Sequence, residues 1–198
     1  MPHTSLLAVD LVLLLPPLLT RSVTKLNRRL KPPPEGFLFD LDHLPHLTLA
    51  QQFVRETDLE ALNSIIEQRI QRHLPLHLQT TQLSSPRTAS TLGVTLSPEL
   101  MTFHRQLMTD LLPFVVTTNV HNAVWANPDT PRPSDITWVS KFRQNFAFER
   151  FEPHVTLGIG TIEAFVEPEH FVATTVALCH LGRFCTCRRV LKAWELKG

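Results

Sequence analysis

The chain of 198 residues has no tyrosine, only three cysteines and almost no excess of either charge. Its 19 basic and 18 acidic residues leave a formal net charge of +1, so no basic face gripping a long nucleic-acid duplex is expected. A small or terminal phosphate ligand stays open, because a few local donors suffice to bind it. The sequence has no zinc-like Cys/His quartet and no carboxylate cluster suited to magnesium, so we predict neither metal nor cofactor.

The cysteines Cys179, Cys185 and Cys187 are odd in number and clustered near the C-terminus. This pattern favours free thiols in a reducing compartment over a disulfide framework. Cys185 and Cys187 would share one face of a strand, since residues two apart point the same way. Packing within that strand is the main interpretation, and a redox or metal role is the alternative.

The apolar run from Leu6 to Leu19 is too short to span a bilayer and is interrupted by Asp10, Pro16 and Pro17. It also lacks the early positive charge and the small-residue cleavage site of a signal peptide. We therefore predict that the run begins with a buried strand, and that the protein is cytoplasmic with no membrane partner.

A five-residue frame occurs twice, as Pro-His-Leu-Thr-Leu over Pro45–Leu49 and as Pro-His-Val-Thr-Leu over Pro153–Leu157. A single His-x-Thr triplet is expected about once by chance in such a chain, so the repeated frame carries the signal. In a strand, residues i and i+2 share a face, so each copy presents an imidazole beside a hydroxyl and buries its aliphatic residues opposite. The two copies predict a four-point site of His46, Thr48, His154 and Thr156.

Hydrophobic periodicity predicts two halves, each with a β-α-β arrangement that ends in one motif strand. The first strand is expected over Leu6–Leu15, and two further strands, Val172–Leu181 and Phe184–Leu196, are expected to close the chain as a hairpin. Residues 117–133 show no clear period and are expected to form a functional loop in which Trp125 stacks on a base or packs internally.

Three helix starts are expected from capping residues. Thr57 and Glu60 have the spacing of a capping box, while Ser97 and Ser134 are expected to act as N-caps of later helices. Together these elements predict an α+β fold in which residues 1–198 form a single bilobal domain with rough two-fold symmetry.

With both motifs in strands, the chain resembles the two-histidine (2H) phosphoesterase superfamily, which includes bacterial 2′-5′ RNA ligase-like proteins and cyclic phosphodiesterases. His46-Leu47-Thr48-Leu49 and His154-Val155-Thr156-Leu157 match its two signature motifs. The resemblance implies two pseudo-symmetric β-α-β-type lobes with antiparallel sheets around a central cleft. It also implies a metal-independent phosphodiesterase acting on 2′,3′-cyclic nucleotides, RNA ends or 2′-5′ linkages.

The chain departs from this family at two points. Many relatives carry a basic or polar residue soon after the second motif, where this sequence has Gly158-Ile159-Gly160. Any tyrosine with which a relative binds its substrate must also be replaced or absent here. Both differences concern the substrate more than the chemistry.

The chemistry needs a base that deprotonates water and an acid that protonates the leaving sugar oxygen, with the two oxygens roughly in line. Histidine titrates near neutral pH, so His46 and His154 can supply both groups, while Thr48 and Thr156 donate hydrogen bonds to the phosphate. Analogy with relatives makes His154 the base and His46 the acid, although the roles can reverse with the substrate.

Two other functions stay open at this point. A non-catalytic module could bind a nucleotide or RNA end in the same cleft, and a thiol protein could use Cys185 and Cys187. The expected partner of the phosphodiesterase, and of the binding module, is a nucleotide or RNA end, and the protein is expected to be a monomer.

Overall fold

The computed structural model describes residues 5–30, 35–85, 88–118, 120–126 and 129–197. The helices and strands within these ranges follow one another as β1 Leu6–Leu14, α1 Pro17–Asn27, β2 His46–Arg55, α2 Leu59–Ile70, β3 Leu76–Ser84, β4 Ala89–Val94, α3 Pro98–Asp110, α4 Pro133–Asn145, β5 His154–Ile159, β6 His170–Ala173, β7 Thr175–Leu181 and β8 Cys187–Glu195.

The strands form one eight-stranded sheet in the order β6-β3-β4-β5-β2-β1-β7-β8, in which every neighbouring pair is antiparallel. The motif strands β5 and β2 are the two central strands. Each is therefore the innermost strand of a four-stranded half, β6-β3-β4-β5 on one side and β2-β1-β7-β8 on the other. The predicted bilobal α+β fold is confirmed.

Alternate residues of β1 enter different cores, because side chains of a strand point to opposite faces. Val9, Leu11 and Leu13 are buried with residues of α1, α2 and α3 in the main core. Ala8 is buried on the other face with Ile136 and Val139 of α4. The helices α1 to α3 therefore cover one face of the sheet, and α4 covers one end of the other.

Of the three predicted helix caps, Ser97 is confirmed, since its hydroxyl accepts a hydrogen bond from the Leu100 N–H at 3.2 Å. The capping box at Thr57 is wrong, because a 3₁₀ turn over Glu56–Asp58 shifts the N-cap of α2 to Asp58, whose side chain makes no cap bond.

The predicted cap of α4 at Ser134 is also wrong, because that helix begins with Pro133 after an N-cap at Arg132. Proline suits the first helical turn, and the Asp135 carboxylate accepts the Arg132 N–H at 2.9 Å. The helix start is therefore stabilised by this carboxylate and not by the serine.

The predicted strand over Val172–Leu181 is divided in two. β6 pairs with β3 at one end of the sheet, whereas β7 pairs with β1 and β8 in the other half. The chain therefore crosses from one half to the other at Thr174, which local periodicity does not reveal. The hairpin of β7 and β8 around Gly182 and Arg183 is confirmed.

The expectation of free thiols is wrong for two of the three cysteines, because Cys179 and Cys187 form a disulfide with a Cα–Cα distance of 5.5 Å. Cys185 is free, but it lies in the 3₁₀ turn with a φ of 54°, before β8 begins, and so shares no strand face with Cys187. The cysteines therefore no longer support a reducing compartment, and the cytoplasmic location stays a prediction. No helix in the described ranges is long and apolar enough to cross a membrane.

Candidate active site

The register between β2 and β5 brings the four predicted residues together. The two strands meet at the antiparallel pair Leu47 and Val155, which are both fully buried in the main core. Neighbours on either side must then point to the opposite face, with His46 across from Thr156 and Thr48 across from His154. All four side chains are half-buried.

The register also fixes the relative positions of the two histidines. Since each histidine lies opposite the threonine of the other motif, His46 and His154 are diagonal neighbours. Diagonal positions in an antiparallel sheet are generally about 7–8 Å apart, a span on the scale of one phosphate group.

Each imidazole is tied to the backbone of its own segment in the same way. His46 Nδ1 lies 2.7 Å from the Leu44 carbonyl, and His154 Nδ1 lies 2.7 Å from the Glu152 carbonyl. A proline follows each of these carbonyl residues and keeps it extended, which holds the carbonyl near the ring. Because a carbonyl only accepts, Nδ1 carries a proton in both rings, and Nε2 is the nitrogen left for proton transfer.

Asp10 is the functional candidate that the sequence interpretation missed. It lies in β1, is fully buried, and its Oδ2 accepts hydrogen bonds from Thr48 Oγ1 at 2.8 Å and from Gln51 Nε2 at 2.7 Å. The same Oδ2 lies 3.6 Å from His46 Nε2. The available signal was a lone carboxylate inside an otherwise apolar strand, since such a group needs buried partners.

A β-bulge allows Thr48 and Gln51 to reach the same carboxylate. The register between β1 and β2 shifts between Leu11 and Val12, because Leu11 pairs with Ala50 and Val12 pairs with Thr48. Without the extra residue, side chains three positions apart would point to opposite faces of the strand.

Two opposing effects act on the pKa of His46. Burial disfavours the charged imidazole and lowers the pKa, whereas the Asp10 carboxylate and the Leu44 carbonyl raise it, and the net result is a raised pKa. The protonated ring is therefore favoured at this position of the site.

The two threonines differ in a way that the identical motifs do not suggest. Thr48 donates its hydroxyl proton to Asp10. The Thr156 hydroxyl makes no hydrogen bond to any described residue and is free to donate to a ligand. On β4, the residues opposite the second motif are Gly93, across from His154, and Thr91, across from Thr156.

Buried side chains from two helices hold the motif strands in place. Asn27 of α1 donates to the Leu157 carbonyl at 2.7 Å and also binds Phe37 and Phe39 ahead of β2. His104 of α3 bonds the Leu49 carbonyl of β2 through Nδ1 and accepts the Phe148 N–H, ahead of β5, through Nε2.

The long segment of residues 117–133 contributes Trp125 to internal packing. Its ring makes an edge contact with His180, and its backbone N–H donates to the Leu181 carbonyl at 2.8 Å. Of the two expected roles for Trp125, packing is the one that these contacts support. Asn119, Asn127 and Pro128 of this segment lie outside the described residues.

An antiparallel sheet with two His-x-Thr strands paired at its centre defines a class of bilobal α+β proteins with a paired-histidine site. The model of the 2′-5′ RNA ligase superfamily matches residues 15–171, and the chain belongs to this superfamily of 2H phosphoesterases. The comparison with curated protein sequences found no significant match.

Solved structures support the same fold at low sequence identity. The Thermus thermophilus protein TT0787 has a TM-score of 0.63 at 12% identity, covering 97% of this chain and 99% of that one. E. coli LigT complexed with ATP has a TM-score of 0.61 at 17% identity, covering 98% of this chain and 100% of that one. LigT complexed with 3′-AMP has a TM-score of 0.54 at 17% identity, with coverages of 96% and 98%.

Proposed function

We propose that this protein is a metal-independent phosphodiesterase that hydrolyses 2′,3′-cyclic nucleotide or RNA-end phosphates, or 2′-5′ phosphodiester linkages, by acid–base catalysis with His46 and His154. The observation that supports the proposal is the register of β2 and β5, in which His46 and His154 are diagonal neighbours on one face of the sheet. Each ring has its Nδ1 hydrogen-bonded to a backbone carbonyl, which leaves Nε2 for proton transfer. One ring takes a proton from water while the other gives a proton to the leaving sugar oxygen.

The threonines complete the proposed site. Charge that develops on the non-bridging oxygens is stabilised by hydroxyl donors, and Thr156 has its proton available. The LigT complexes with 3′-AMP, ATP and NADP+ support a nucleotide-type ligand for this fold. We further propose a cytoplasmic monomer in which residues 1–198 act as a single domain.

The function is tested on three substrates in the presence of EDTA: 2′,3′-cyclic AMP, 2′-5′ oligoadenylate, and RNA with a cyclic-phosphate end. We expect turnover of at least one of them, a bell-shaped pH dependence, and rates roughly 10²–10⁴-fold lower for His46→Ala and His154→Ala. His77→Ala is the matched control, because His77 is an exposed strand histidine of β3 and should keep full activity.

Three outcomes would contradict the proposal. Loss of activity in EDTA would remove metal independence, and a folded His154→Ala variant with full activity would remove the mechanism. Binding of 3′-AMP without turnover of any substrate would indicate the non-catalytic binding module instead.

A further inference from the structure

We propose that Asp10 is a positioning residue that keeps the catalytic proton on His46 and thereby makes the two equivalent motifs chemically different. The inference rests on the proposed function of the histidine pair. It concerns a residue of β1 that belongs to neither motif.

The geometry supplies the first argument. Asp10 is fully buried in β1, and its Oδ2 receives hydrogen bonds from two neutral donors, Thr48 and Gln51. Its Oδ1 is also buried and accepts no hydrogen bond from the described residues. Two neutral donors on one oxygen leave the charge of a buried carboxylate uncompensated, and such a charge is costly without a cation nearby. His46 Nε2, 3.6 Å away, is the group that can supply the positive charge.

The second motif has no equivalent of Asp10 on its neighbouring strand. β1 flanks the first motif strand, and β4 flanks the second in the corresponding position of the other half. Asp10 pairs with Gln51, five residues after His46, and the corresponding pair in the second half is Ala89 with Ile159. None of the residues of β4, Ala89–Val94, carries a charge. The two motifs therefore differ because β1 carries a carboxylate beside the first motif and β4 carries none beside the second.

Other titratable groups near Asp10 and His46 do not favour a proton on His46 in the way that Asp10 does. His43, ahead of β2, is engaged by Asp40 and by Arg188 of β8. Cys185, from the turn before β8, has a pKa raised well above normal by burial and by the charges of Asp135 and Asp10, so its thiol stays neutral. His154, on β5, is a further ionisable neighbour. Asp10 is the charged side chain whose interaction raises the pKa of His46.

The assignment gives a balanced proton pathway. The water oxygen forms a new bond to phosphorus while its proton passes to His154 Nε2, and the bond from phosphorus to the leaving sugar oxygen breaks. That oxygen takes the proton from His46 Nε2, so a cyclic diester and water give one monoester. Both Nδ1 protons remain hydrogen-bonded to the Leu44 and Glu152 carbonyls throughout.

The first test measures protonation directly and needs no substrate. The imidazole C2–H signals of His46 and His154 are followed by NMR across pH, with assignments from His46→Ala and His154→Ala. In the native protein we expect His46 to titrate above the ordinary value of histidine, and in Asp10→Asn its pKa should fall. Asn has the size of Asp and can still accept from Thr48 and Gln51, so the charge is the main change.

The second test uses the rate. We expect Asp10→Asn to lower kcat at pH 8 by roughly tenfold to a hundredfold, which is less than the loss expected for His46→Ala. The alkaline limb of the pH–rate profile should move to lower pH. KM should change little, because Asp10 is buried and does not touch the substrate. Asp58→Asn, in the 3₁₀ turn that follows β2, is the control for an Asp-to-Asn change and should behave as the native protein.

A His46 that titrates at or below the ordinary histidine value in the native protein overturns the inference, even if Asp10→Asn fails to fold. An Asp10→Asn variant with unchanged His46 titration and an unchanged pH profile also overturns it. A protein without turnover on any phosphodiester, but with a raised His46 pKa that depends on Asp10, would contradict the proposed function and keep the pairing. The two failures are therefore distinguishable.

Discussion

At the scale of single residues, the two motifs are nearly identical in sequence and different in environment. Thr48 is bound to Asp10, whereas Thr156 makes no hydrogen bond with any residue described in the structure. The hydroxyl proton of Thr48 is therefore already used in a hydrogen bond, whereas the hydroxyl proton of Thr156 can be donated to a ligand. The proposed phosphate contacts should be unequal for this reason.

Replacing Thr156 by Val keeps the shape of the side chain and removes the free donor. We expect kcat/KM on the best substrate of the panel to fall roughly 10²-fold, the size of effect seen when one oxyanion donor is lost. Thr48→Val should cost about tenfold or less, because its hydroxyl acts through Asp10 rather than on the phosphate. Equal losses for the two variants, or a larger loss for Thr48→Val, would contradict this difference.

At the scale of elements, one side chain joins α1 to β5 and to the segment that leads into β2. Asn27 is buried and uses both its amide group and its carbonyl on backbone groups of Phe37, Phe39 and Leu157. Leu157 belongs to β5, and the other two residues lead into β2. The helix end therefore fixes the distance between the segments that carry the histidines.

Asn27→Ala would leave three backbone groups without these partners. A buried polar group that loses its partner costs about 1–3 kcal/mol, and with some relaxation we expect a loss of about 3 kcal/mol in the free energy of unfolding. Urea unfolding measures this loss. Lys25→Ala, an exposed change on the same helix, should stay within about 0.5 kcal/mol, and an equally small effect of Asn27→Ala would refute the role given to it.

The elements also show what local sequence can predict. The strands β1, β2 and β5 and the cap at Ser97 follow from apolar patterning and a local hydrogen bond, and all are confirmed. The division between β6 and β7, and the bulge that turns Gln51 toward Asp10, follow from pairing with distant strands. Periodicity along the chain carries no information about such pairing, and the disulfide was missed for the same reason.

The candidate site divides in the same way. The repeated frame predicted all four motif residues, because the period of a strand is enough to set two side chains on one face. Asp10 lies 36 positions before His46 in sequence and contacts it only because β1 and β2 pair. A residue that acts through strand pairing leaves only an indirect trace in the sequence, here a charge within an apolar run.

At the scale of the whole molecule, His104 joins the two halves of the sheet through the core. Its ring is fully buried, stacks on Phe151 at 3.9 Å, and bridges the Leu49 carbonyl and the Phe148 N–H. Both bonds require the neutral ring with its proton on Nδ1. Burial lowers the pKa of His104 from 6.5 to about 4, and the backbone bond to Leu49 only partly opposes this effect.

The sign of the resulting pH dependence follows from linkage. The unfolded chain binds a proton at His104 below about pH 6.5 while the folded protein does not, so stability is fully present above that pH. It is lost as the pH falls from about 6.5 toward 4, by roughly 3 kcal/mol over the full interval. Urea unfolding at about pH 7, 5.5 and 4.5 measures this loss.

Two other histidines titrate in the same experiment and must be separated from His104. His180 has a pKa lowered by burial and adds a loss of the same sign, whereas the raised pKa of His46 adds stability below about pH 6.5 that disappears as the pH rises. The decisive comparison is with His104→Gln, because an amide can donate to Leu49 and accept from Phe148 without titrating. The variant should lose less stability than the native protein as the pH falls from neutral to acidic, and an identical pH dependence in the two proteins would show that His104 is not the group responsible.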